Sequence, residues 1–285
     1  MPLMPHKVTV RQATSQDIAS ITDFMNTASL VHRHLDWRPL MEWVDKEPFL
    51  LYFDENELSA LLSCAPDHTG IAWIHAFAAS SWTSRVENEF QTLLENAIKR
   101  LHLQPHQIFS VALTDWFARL LKGSGFQLYQ HIVVLNWRNF VPNQESGSPA
   151  IFIRPMTLTD VEEVAALDQL AFDPAWVISR DSLERVFLQS DHANVAELDN
   201  KIIGYELSSA NHLSAHLVRL AVHPDQTRAK IGASLVEHML TYFTHQGIWN
   251  ITVNTQNTNQ ASLALYKKMG FQQTQEQFPV FYLSI

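Results

Sequence analysis

A strand, a tight loop and a helix are indicated by Leu217-Val-Arg-Leu-Ala-Val-His-Pro-Asp-Gln-Thr-Arg-Ala-Lys-Ile-Gly-Ala-Ser-Leu235. Apolar residues alternate from Val218 to Val222, as they do along a strand that is buried on one face. His223-Pro224-Asp225 is a cluster of residues that interrupt regular structure, and an apolar period typical of a helix begins after Gly232. The order strand, loop, helix organises the prediction for the rest of the chain.

The start of this helix is a candidate anion site. The first N–H groups of a helix have no partner within the helix, and the helix dipole favours negative charge at that end. Arg228 and Lys230 place two cationic side chains beside it. The stretch is equally compatible with an ordinary connection between a strand and a helix, so both interpretations stay open at this point.

A second stretch is Val253-Asn-Thr-Gln-Asn-Thr-Asn-Gln-Ala-Ser-Leu-Ala-Leu-Tyr-Lys-Lys-Met-Gly-Phe271. It has the pattern of a strand, an asparagine-rich turn, a short helix and a glycine stop. Together the two stretches resemble the motifs of the GNAT N-acetyltransferase superfamily. The second motif matches closely, at Asn259, Ser262, Leu265, Tyr266, Gly270 and Phe271. The first matches less well, because Thr227 replaces the usual Arg or Gln and Lys230 replaces the first glycine, so that only Gly232 is retained.

The resemblance implies that acetyl-CoA is the acyl donor, bound with no metal ion. It implies that the strand splays from its neighbour so that the pantetheine arm pairs with Leu220, Ala221 and Val222. It also implies a diphosphate on the loop and helix start, and further contacts from the second motif. The remaining predicted cofactor residues are therefore Thr227, Arg228, Ala229, Lys230, Ile231, Gly232, Ala233, Asn259 and Ser262.

The resemblance places Tyr266 as the acid that protonates the departing thiolate, although a tyrosine on the inner face of a short helix is often a core residue. Related ribosomal-protein acetyltransferases carry a Glu twelve residues earlier, where this chain has Asn254, which cannot accept a proton. His216, early in the organising strand, is the candidate base, because imidazole titrates near neutral pH. The alternatives are a packing role for His216, weaker candidates Glu206 and His212, and an ordered water.

The acceptor groove of this fold is formed by the first two helices and the last hairpin. The resemblance therefore points to Phe172-Asp-Pro-Ala-Trp176, Tyr205 and Phe281. An aspartate beside a tryptophan can hold a cationic amine, and ordinary core and turn roles explain these residues equally well. The identity of the acceptor stays open.

The second half of the chain repeats the first. Arg154 and Asp160 lie 143 positions after Arg11 and Asp17, and Gly270-Phe271 lies 145 positions after Gly125-Phe126. A repeat of this length indicates two copies of one fold. The first copy departs from the motif, with Leu121 in place of Tyr266, Thr114 in place of Asn259 and Phe117 in place of Ser262.

The predicted fold class is α/β (α+β), with two tandem GNAT-like domains, each a mixed, mostly antiparallel sheet flanked by helices. The predicted boundaries are 1–138 for a degenerate domain, 139–150 for a linker rich in Pro, Gly and polar residues, and 151–285 for the acetyltransferase domain. Within the first domain, Ile71–Phe77 is predicted to be one strand. Strands at 131–137 and 280–283 are predicted to close the two domains.

The chain has 285 residues and a formal net charge of -9, which argues against a nucleic-acid partner and agrees with an amine as acceptor or with ordinary solubility. One cysteine permits no internal disulfide. No leader or apolar run of membrane-spanning length is evident, so a cytoplasmic protein without a membrane partner is expected.

The predicted function is transfer of an acetyl group from acetyl-CoA to a primary amine, of a small molecule or a peptide N-terminus, by direct attack. The alternatives are a CoA-binding pseudoenzyme or sensor and an interaction module, and the oligomeric state stays open.

Overall fold

The computed structural model describes residues 7–35, 37–68, 70–81, 85–101, 107–138, 151–226 and 229–285. It contains two compact units, Met1–Tyr129 with Pro279–Ile285, and Gln130–Phe278. The predicted linker, residues 139–150, lies outside the described residues. No helix in the described part of the chain is long and apolar enough to cross a membrane.

In its described residues, the first unit contains three α-helices and two groups of strands. One group is a sheet of order β1-β3-β4-β7-β2, and the other has the order β8-β6-β5. The strands are β1 (Val8–Gln12), β2 (Leu30–Arg33), β3 (Phe49–Asp54), β4 (Glu57–Ser63), β5 (Pro66–His68), β6 (Ile71–Trp73), β7 (Ala76–Ala79) and β8 (Gln107–Val111), and the helices are α1 (Ile18–Thr27), α2 (Val86–Arg100) and α3 (Asp115–Gly123).

The second unit is one sheet with helices on it. Its order is β10-β11-β12-β13-β14-β9-β15. The strands are β9 (Gln127–Arg138), β10 (Phe152–Pro155), β11 (His192–Leu198), β12 (Lys201–Ala210), β13 (Ala215–Val222), β14 (Asn250–Gln256) and β15 (Gln272–Ser284), and the helices are α4 (Val161–Ala171), α5 (Arg180–Gln189), α6 (Ile231–His245) and α7 (Gln260–Lys268). This is the predicted mixed α/β fold class.

The last strands of the two halves are exchanged between the units. β9, which was expected to close the first half, pairs with β14, with Ile251 opposite Trp137. The end of β15, which was expected to close the second half, pairs with β8, with Phe281 opposite Ser110. In each unit the incoming strand hydrogen-bonds to a strand edge that would otherwise carry unpaired backbone groups.

The repeat is visible in a local ion pair. Arg11 Nη1 donates to Asp17 Oδ2 at 2.7 Å, and Arg154 Nη1 donates to Asp160 Oδ2 at the same distance. In both copies the aspartate also accepts from the backbone N–H three residues earlier, and so caps the start of a helix. The hydrogen bond from Arg154 lowers the pKa of Asp160 to about 2. The predicted 143-residue repeat therefore has a matching structural element in each half.

The segment predicted as one strand, Ile71–Phe77, is two strands. β6 ends at Trp73 and β7 begins at Ala76. His75 lies between the two strands. Its backbone N–H donates to Ser63 O, and its side-chain Nε2 lies 2.8 Å from Ala65 O. The break allows β6 to pair with β8 while β7 pairs with β4.

Candidate functional site

The organising strand β13 leaves its parallel neighbour partway along its length. The two strands pair from Ala215 opposite Ile251 to Leu217 opposite Val253. Beyond that point β13 continues to Val222, while β14 continues in register with β9. The register with β12 shifts at the same place, since Ser208 faces Leu217 and Leu207 faces Arg219. A β-bulge at this position turns β13 away from β14.

The divergence leaves one strand edge available for pairing. Among the described residues, no strand pairs with β13 from Val218 to Val222 on the side of β14, and we call this segment the open edge. Backbone N–H and C=O groups on such an edge can pair with an extended ligand. The predicted pantetheine residues Leu220, Ala221 and Val222 all lie in the open edge.

The helix α6 begins at a residue with an unusual backbone. Lys230 is its N-cap, with φ 62° and ψ 9°, which is the left-handed region that favours glycine. The glycine that the motif usually has at this position therefore suits a backbone with positive φ, and in this chain a lysine adopts that conformation. The Lys230 carbonyl accepts from Ser234 N at 3.0 Å. Thr227 and Arg228, two of the predicted phosphate contacts, lie outside the described residues.

The predicted residues at the first turn of α6 can act only through their backbone groups. The side chains of Ile231 and Ala233 are buried at 1% and 6% exposure. The N–H groups of a helix's first turn have no acceptor four residues earlier, and so they are available to an anion. A Cβ on Gly232 would lie 3.2 Å from Leu265 Cδ2 of α7. The glycine therefore allows α7 to approach closely and leaves this turn uncovered by a side chain.

The second motif forms α7 and its cap. Asn259 is the N-cap, and its Oδ1 accepts from Ser262 N at 3.1 Å. The asparagine of the motif thus fixes where the helix begins, which is a structural role that exists without a ligand. Ser262 is half-buried on the first turn.

Tyr266 lies on the inner face of α7. Its side chain is 5% exposed, and its ring centroid lies 5.6 Å from that of Phe271. Burial, together with the nearby Glu206, raises the pKa of the Tyr266 hydroxyl above its usual value near 10. The phenol is therefore protonated at neutral pH, as a proton donor must be. Within the described chain its hydroxyl has no hydrogen-bond partner.

His216 lies in the last paired segment before the open edge. Its Nδ1 is 2.8 Å from Thr252 Oγ1, and burial lowers the pKa of the imidazole. The Thr252 hydroxyl also reaches Ala215 O at 3.4 Å. If that hydroxyl donates to the carbonyl, it accepts from His216 Nδ1–H, which leaves Nε2 with a free lone pair. A neutral imidazole in this tautomer has what a general base requires.

The two weaker base candidates lie in other settings. Glu206 is fully buried, and its carboxylate is bonded to His192 Nδ1 at 2.7 Å and to the Ser208 hydroxyl. Both of its oxygens are therefore engaged by neighbouring side chains. His212 is exposed in the turn between β12 and β13. Neither arrangement favours proton removal from an amine at the open edge.

The residues expected to line an acceptor groove have mixed roles. Asp173 Oδ1 accepts from Ala175 N at 3.0 Å and caps the short helix Pro174–Trp176. Tyr205 is fully buried, and Phe281 lies in the core of the first unit. Tyr205 and Phe281 are therefore not groove residues, because their side chains are sealed in packing. Phe172 and Trp176 are half-exposed.

A buried ion pair was missed by the sequence analysis. Arg219 of β13 donates from Nε to Asp168 Oδ2 at 2.5 Å and from Nη2 to Asp168 Oδ1 at 2.8 Å. The Tyr205 hydroxyl donates to the same carboxylate. The sequence contains a signal for this ion pair, because one charged residue lies in each of two apolar segments. Arg219 lies within the apolar strand β13, and Asp168 lies on the apolar face of α4.

Gly204 was also missed. A Cβ at this position would lie 2.9 Å from Ile231 Cγ2 and 3.1 Å from Ala221 O. The missing side chain allows β12 to pass directly beneath the start of α6. A single glycine inside a strand pattern is the signal that indicates such a close approach.

The equivalent edge in the first unit is closed. β6 pairs in parallel with β8, as β13 begins by pairing with β14, and β7 then pairs with β4. The far side of β7 pairs with β2, from Leu30 opposite Ala79 to Arg33 opposite Ala76. The chain's own strand thus lies where the second unit has its open edge.

Side chains complete the closure. The ring of His32 on β2 stacks on Phe117 of α3 with centroids 3.8 Å apart. Phe117 and Leu121, which replace Ser262 and Tyr266 of the motif, are fully buried in the first unit's core. In the described part of this unit, the corresponding positions have neither a free edge nor a hydroxyl.

A sheet with a bulged, diverging strand that leads through a tight loop into a helix defines an acetyltransferase fold of the GNAT class. Residues 159–271 match the Acetyltransferase (GNAT) family, and the chain therefore carries a domain of this family. The resemblance drawn from the two motifs is confirmed.

Solved structures share the fold along nearly the whole chain. A tandem GNAT protein from the clavulanic acid biosynthesis pathway is 12% identical, with a TM-score of 0.66 and 98% of each chain covered. A GCN5-related N-acetyltransferase from Sphaerobacter thermophilus is 13% identical, with a TM-score of 0.64, and covers 99% of this chain and 97% of its own. At this identity the likeness is one of fold.

A similarity in sequence extends over a shorter segment. The [ribosomal protein bS18]-alanine N-acetyltransferase of Escherichia coli (strain K12) is 27% identical over 73 residues, which are 26% of this chain and 49% of that protein. The chain thus spans about half the length of the curated relatives that it matches.

Proposed function

We propose that the second half of the chain, residues 151–285, transfers an acetyl group from acetyl-CoA to a primary amine by direct attack. The observation that carries this proposal is the open edge of β13, which ends at Val222, nine residues before the first turn of α6 begins at Ile231. An extended amide-containing arm fits the edge, and a diphosphate fits the turn. The thioester would supply the activated acetyl group.

Each catalytic task then has one candidate. Backbone N–H groups of the open edge polarise the acetyl carbonyl. His216 Nε2 removes a proton from the amine, the nitrogen–carbon bond forms, and the carbon–sulfur bond breaks. Tyr266 donates its proton to the departing sulfur and regains one from solvent or from His216. The products are the acetylated amine and a free thiol.

The test of Tyr266 is a conservative substitution. Tyr266→Phe should lower kcat by about 10²-fold, because the ring still packs while the proton is lost. Affinity for acetyl-CoA, measured by calorimetry, should stay unchanged. Tyr242→Phe is the matched control, since Tyr242 lies on α6 and is 38% exposed. An unchanged kcat in Tyr266→Phe would remove the phenol from the reaction.

A CoA-binding protein without turnover is the second candidate. It is favoured by Lys230 in a left-handed conformation, by Asn254 in place of a glutamate, and by the near-complete burial of Tyr266. Binding of acetyl-CoA without release of free CoA across a panel of amines, amino acids and peptides would establish this alternative. Absence of binding would leave the third alternative, an interaction module.

A further inference from the structure

The guanidinium of Arg219 has N–H donors that no acceptor among the described residues engages. Its Nε–H and both Nη2–H groups are engaged, by Asp168, by the Tyr205 hydroxyl and by Trp176 O at 2.8 Å. An arginine carries five N–H donors, and two of them belong to Nη1. Within the described residues no acceptor lies against Nη1, although only 13% of the side chain is exposed.

Arg219 lies at the point where the strand opens. It directly precedes Leu220, so its Cα lies about 3.8 Å from the first predicted pantetheine residue. Successive side chains of a strand point to opposite faces. Leu220 packs toward α6, whereas Arg219 points toward α4 and bonds its Asp168. The guanidinium of Arg219 therefore lies on the opposite face of β13 from α6.

The surroundings hold this guanidinium rigidly. Asp168 is fully buried and neutralises the charge through two hydrogen bonds. The guanidinium carbon lies 3.9 Å from the centroid of Phe172, and the Trp176 carbonyl ties it to the segment after α4. Phe172 and Trp176 are half-exposed beside it. A purely structural role would explain the three engaged donors, Nε–H and the two Nη2–H groups. It would not explain why the two Nη1–H groups are held in place beside Phe172 and Trp176 without an acceptor among the described residues.

We propose that Arg219 Nη1 hydrogen-bonds an oxygen that the acceptor carries next to its amine, and so selects α-amino carbonyl compounds over plain alkylamines. This inference rests on the proposed function. An amino acid carboxylate and the first carbonyl of an amide or peptide share this chemistry. Because Asp168 already neutralises the guanidinium, a neutral carbonyl leaves no uncompensated charge in the site, and we expect amides to be preferred.

The test uses three acceptors of similar size: L-alaninamide, L-alanine and isopropylamine. With the wild-type protein, kcat/KM for L-alaninamide should exceed that for isopropylamine by about 10-fold or more, as expected for one hydrogen bond to a charged donor. L-alanine distinguishes a carboxylate from an amide as the preferred source of the oxygen. Equal values for L-alaninamide, L-alanine and isopropylamine would overturn the inference.

Arg219→Lys keeps a cation beside Asp168 but loses the fork of donors. It should raise KM for L-alaninamide and leave both KM for isopropylamine and the Kd of acetyl-CoA unchanged. An equal loss with every acceptor would assign Arg219 a structural role and contradict the inference. Asp168→Asn with Arg219→Gln removes both charges together, so that selectivity can be measured without a buried unpaired carboxylate. This pair should also lose the preference for L-alaninamide.

Calorimetry in the presence of CoA measures acceptor binding without turnover. Tighter binding of L-alaninamide than of isopropylamine, lost in Arg219→Lys, supports the inference even for a protein with slow chemistry. Turnover of isopropylamine at the same kcat/KM as L-alaninamide would contradict the inference about Arg219 but would still support the proposed acetyltransferase function. Binding of acetyl-CoA with no turnover of any acceptor would instead contradict the proposed function.

Discussion

The two halves of this chain share one arrangement and differ at one strand edge. In the first unit β7 is paired on both sides, by β4 and by β2, whereas in the second unit β13 loses its partner on one side after Leu217. The same fold is therefore complete in one copy and open in the other. A free edge next to a helix start is the feature that distinguishes the second copy, for which we propose acetyl-CoA binding, from the first.

The difference extends to single side chains. Phe117 and Leu121 fill the first unit's core, while Ser262 and Tyr266 occupy the corresponding positions of α7. In the first unit the strand β2 and the two apolar side chains of Phe117 and Leu121 occupy the places of the open edge and of Ser262 and Tyr266. Ser262 and Tyr266 are thus not needed for the fold, because Phe117 and Leu121 take their places in the first half.

Blocking the phosphate turn should have the largest effect. Gly232→Trp places an indole where a Cβ alone already lies 3.2 Å from Leu265, so it should abolish detectable acetyl-CoA binding in calorimetry. Gly123→Trp is the control in the other half, since no atom lies within 4 Å of a Cβ built there. Full affinity in Gly232→Trp, with an unchanged Tm, would show that the diphosphate binds elsewhere.

Removing the candidate base should change both the rate and its pH dependence. Burial lowers the pKa of His216, so the imidazole is deprotonated above a pKa that lies below its usual value near 6.5. The rate should rise with pH through that lowered pKa and then level off. In His216→Gln we expect a rate about 10²-fold lower and no such rise. A rise of the same shape in His216→Gln would assign the titration to another group.

Part of this architecture was accessible from the sequence because it is local. The repeat, the order strand, loop, helix, and the cap at Asn259 all depend on residues close together in the chain. The positive φ of Lys230 was foreseeable too, since the motif has glycine there.

The rest depends on distant pairings. β2 has only four residues, and its role as a closing strand follows from pairing with β7, nearly fifty residues later. Arg219 and Asp168 are separated by 51 positions, and neither residue alone indicates a partner. The exchange of β9 and β15 between the units likewise has no signal in local periodicity, since each is an ordinary alternating strand.

Helix capping offers a smaller test of the same comparison. Asn259 caps α7 through its side chain, whereas Thr114, the N-cap of α3, makes no such bond. Asn259→Ala should therefore reduce the free energy of unfolding by about 1 kcal/mol, and Thr114→Ala by less than half of that. Chemical denaturation measures both. Equal losses would mean that the motif asparagine is not acting as a cap.

The smallest expected effect is at Lys230. A non-glycine residue in the left-handed region costs about 1–2 kcal/mol, while glycine adds about 0.5–1 kcal/mol of chain entropy to the unfolded state. Compared with Lys230→Ala, Lys230→Gly should therefore raise the free energy of unfolding by about 0.5 kcal/mol, because both variants lack the lysine side chain and differ in the cost of the left-handed region. Chemical denaturation of the two variants measures this difference. A lower stability of Lys230→Gly than of Lys230→Ala would contradict a backbone cost at this position.

The most direct test of the account is amide hydrogen exchange with and without acetyl-CoA. We predict slower exchange at Val218–Val222 and Ile231–Ala233 when acetyl-CoA is added, and unchanged exchange at Ala76–Ala79. Slower exchange at Ala76–Ala79, with none in the open edge of β13, would contradict it.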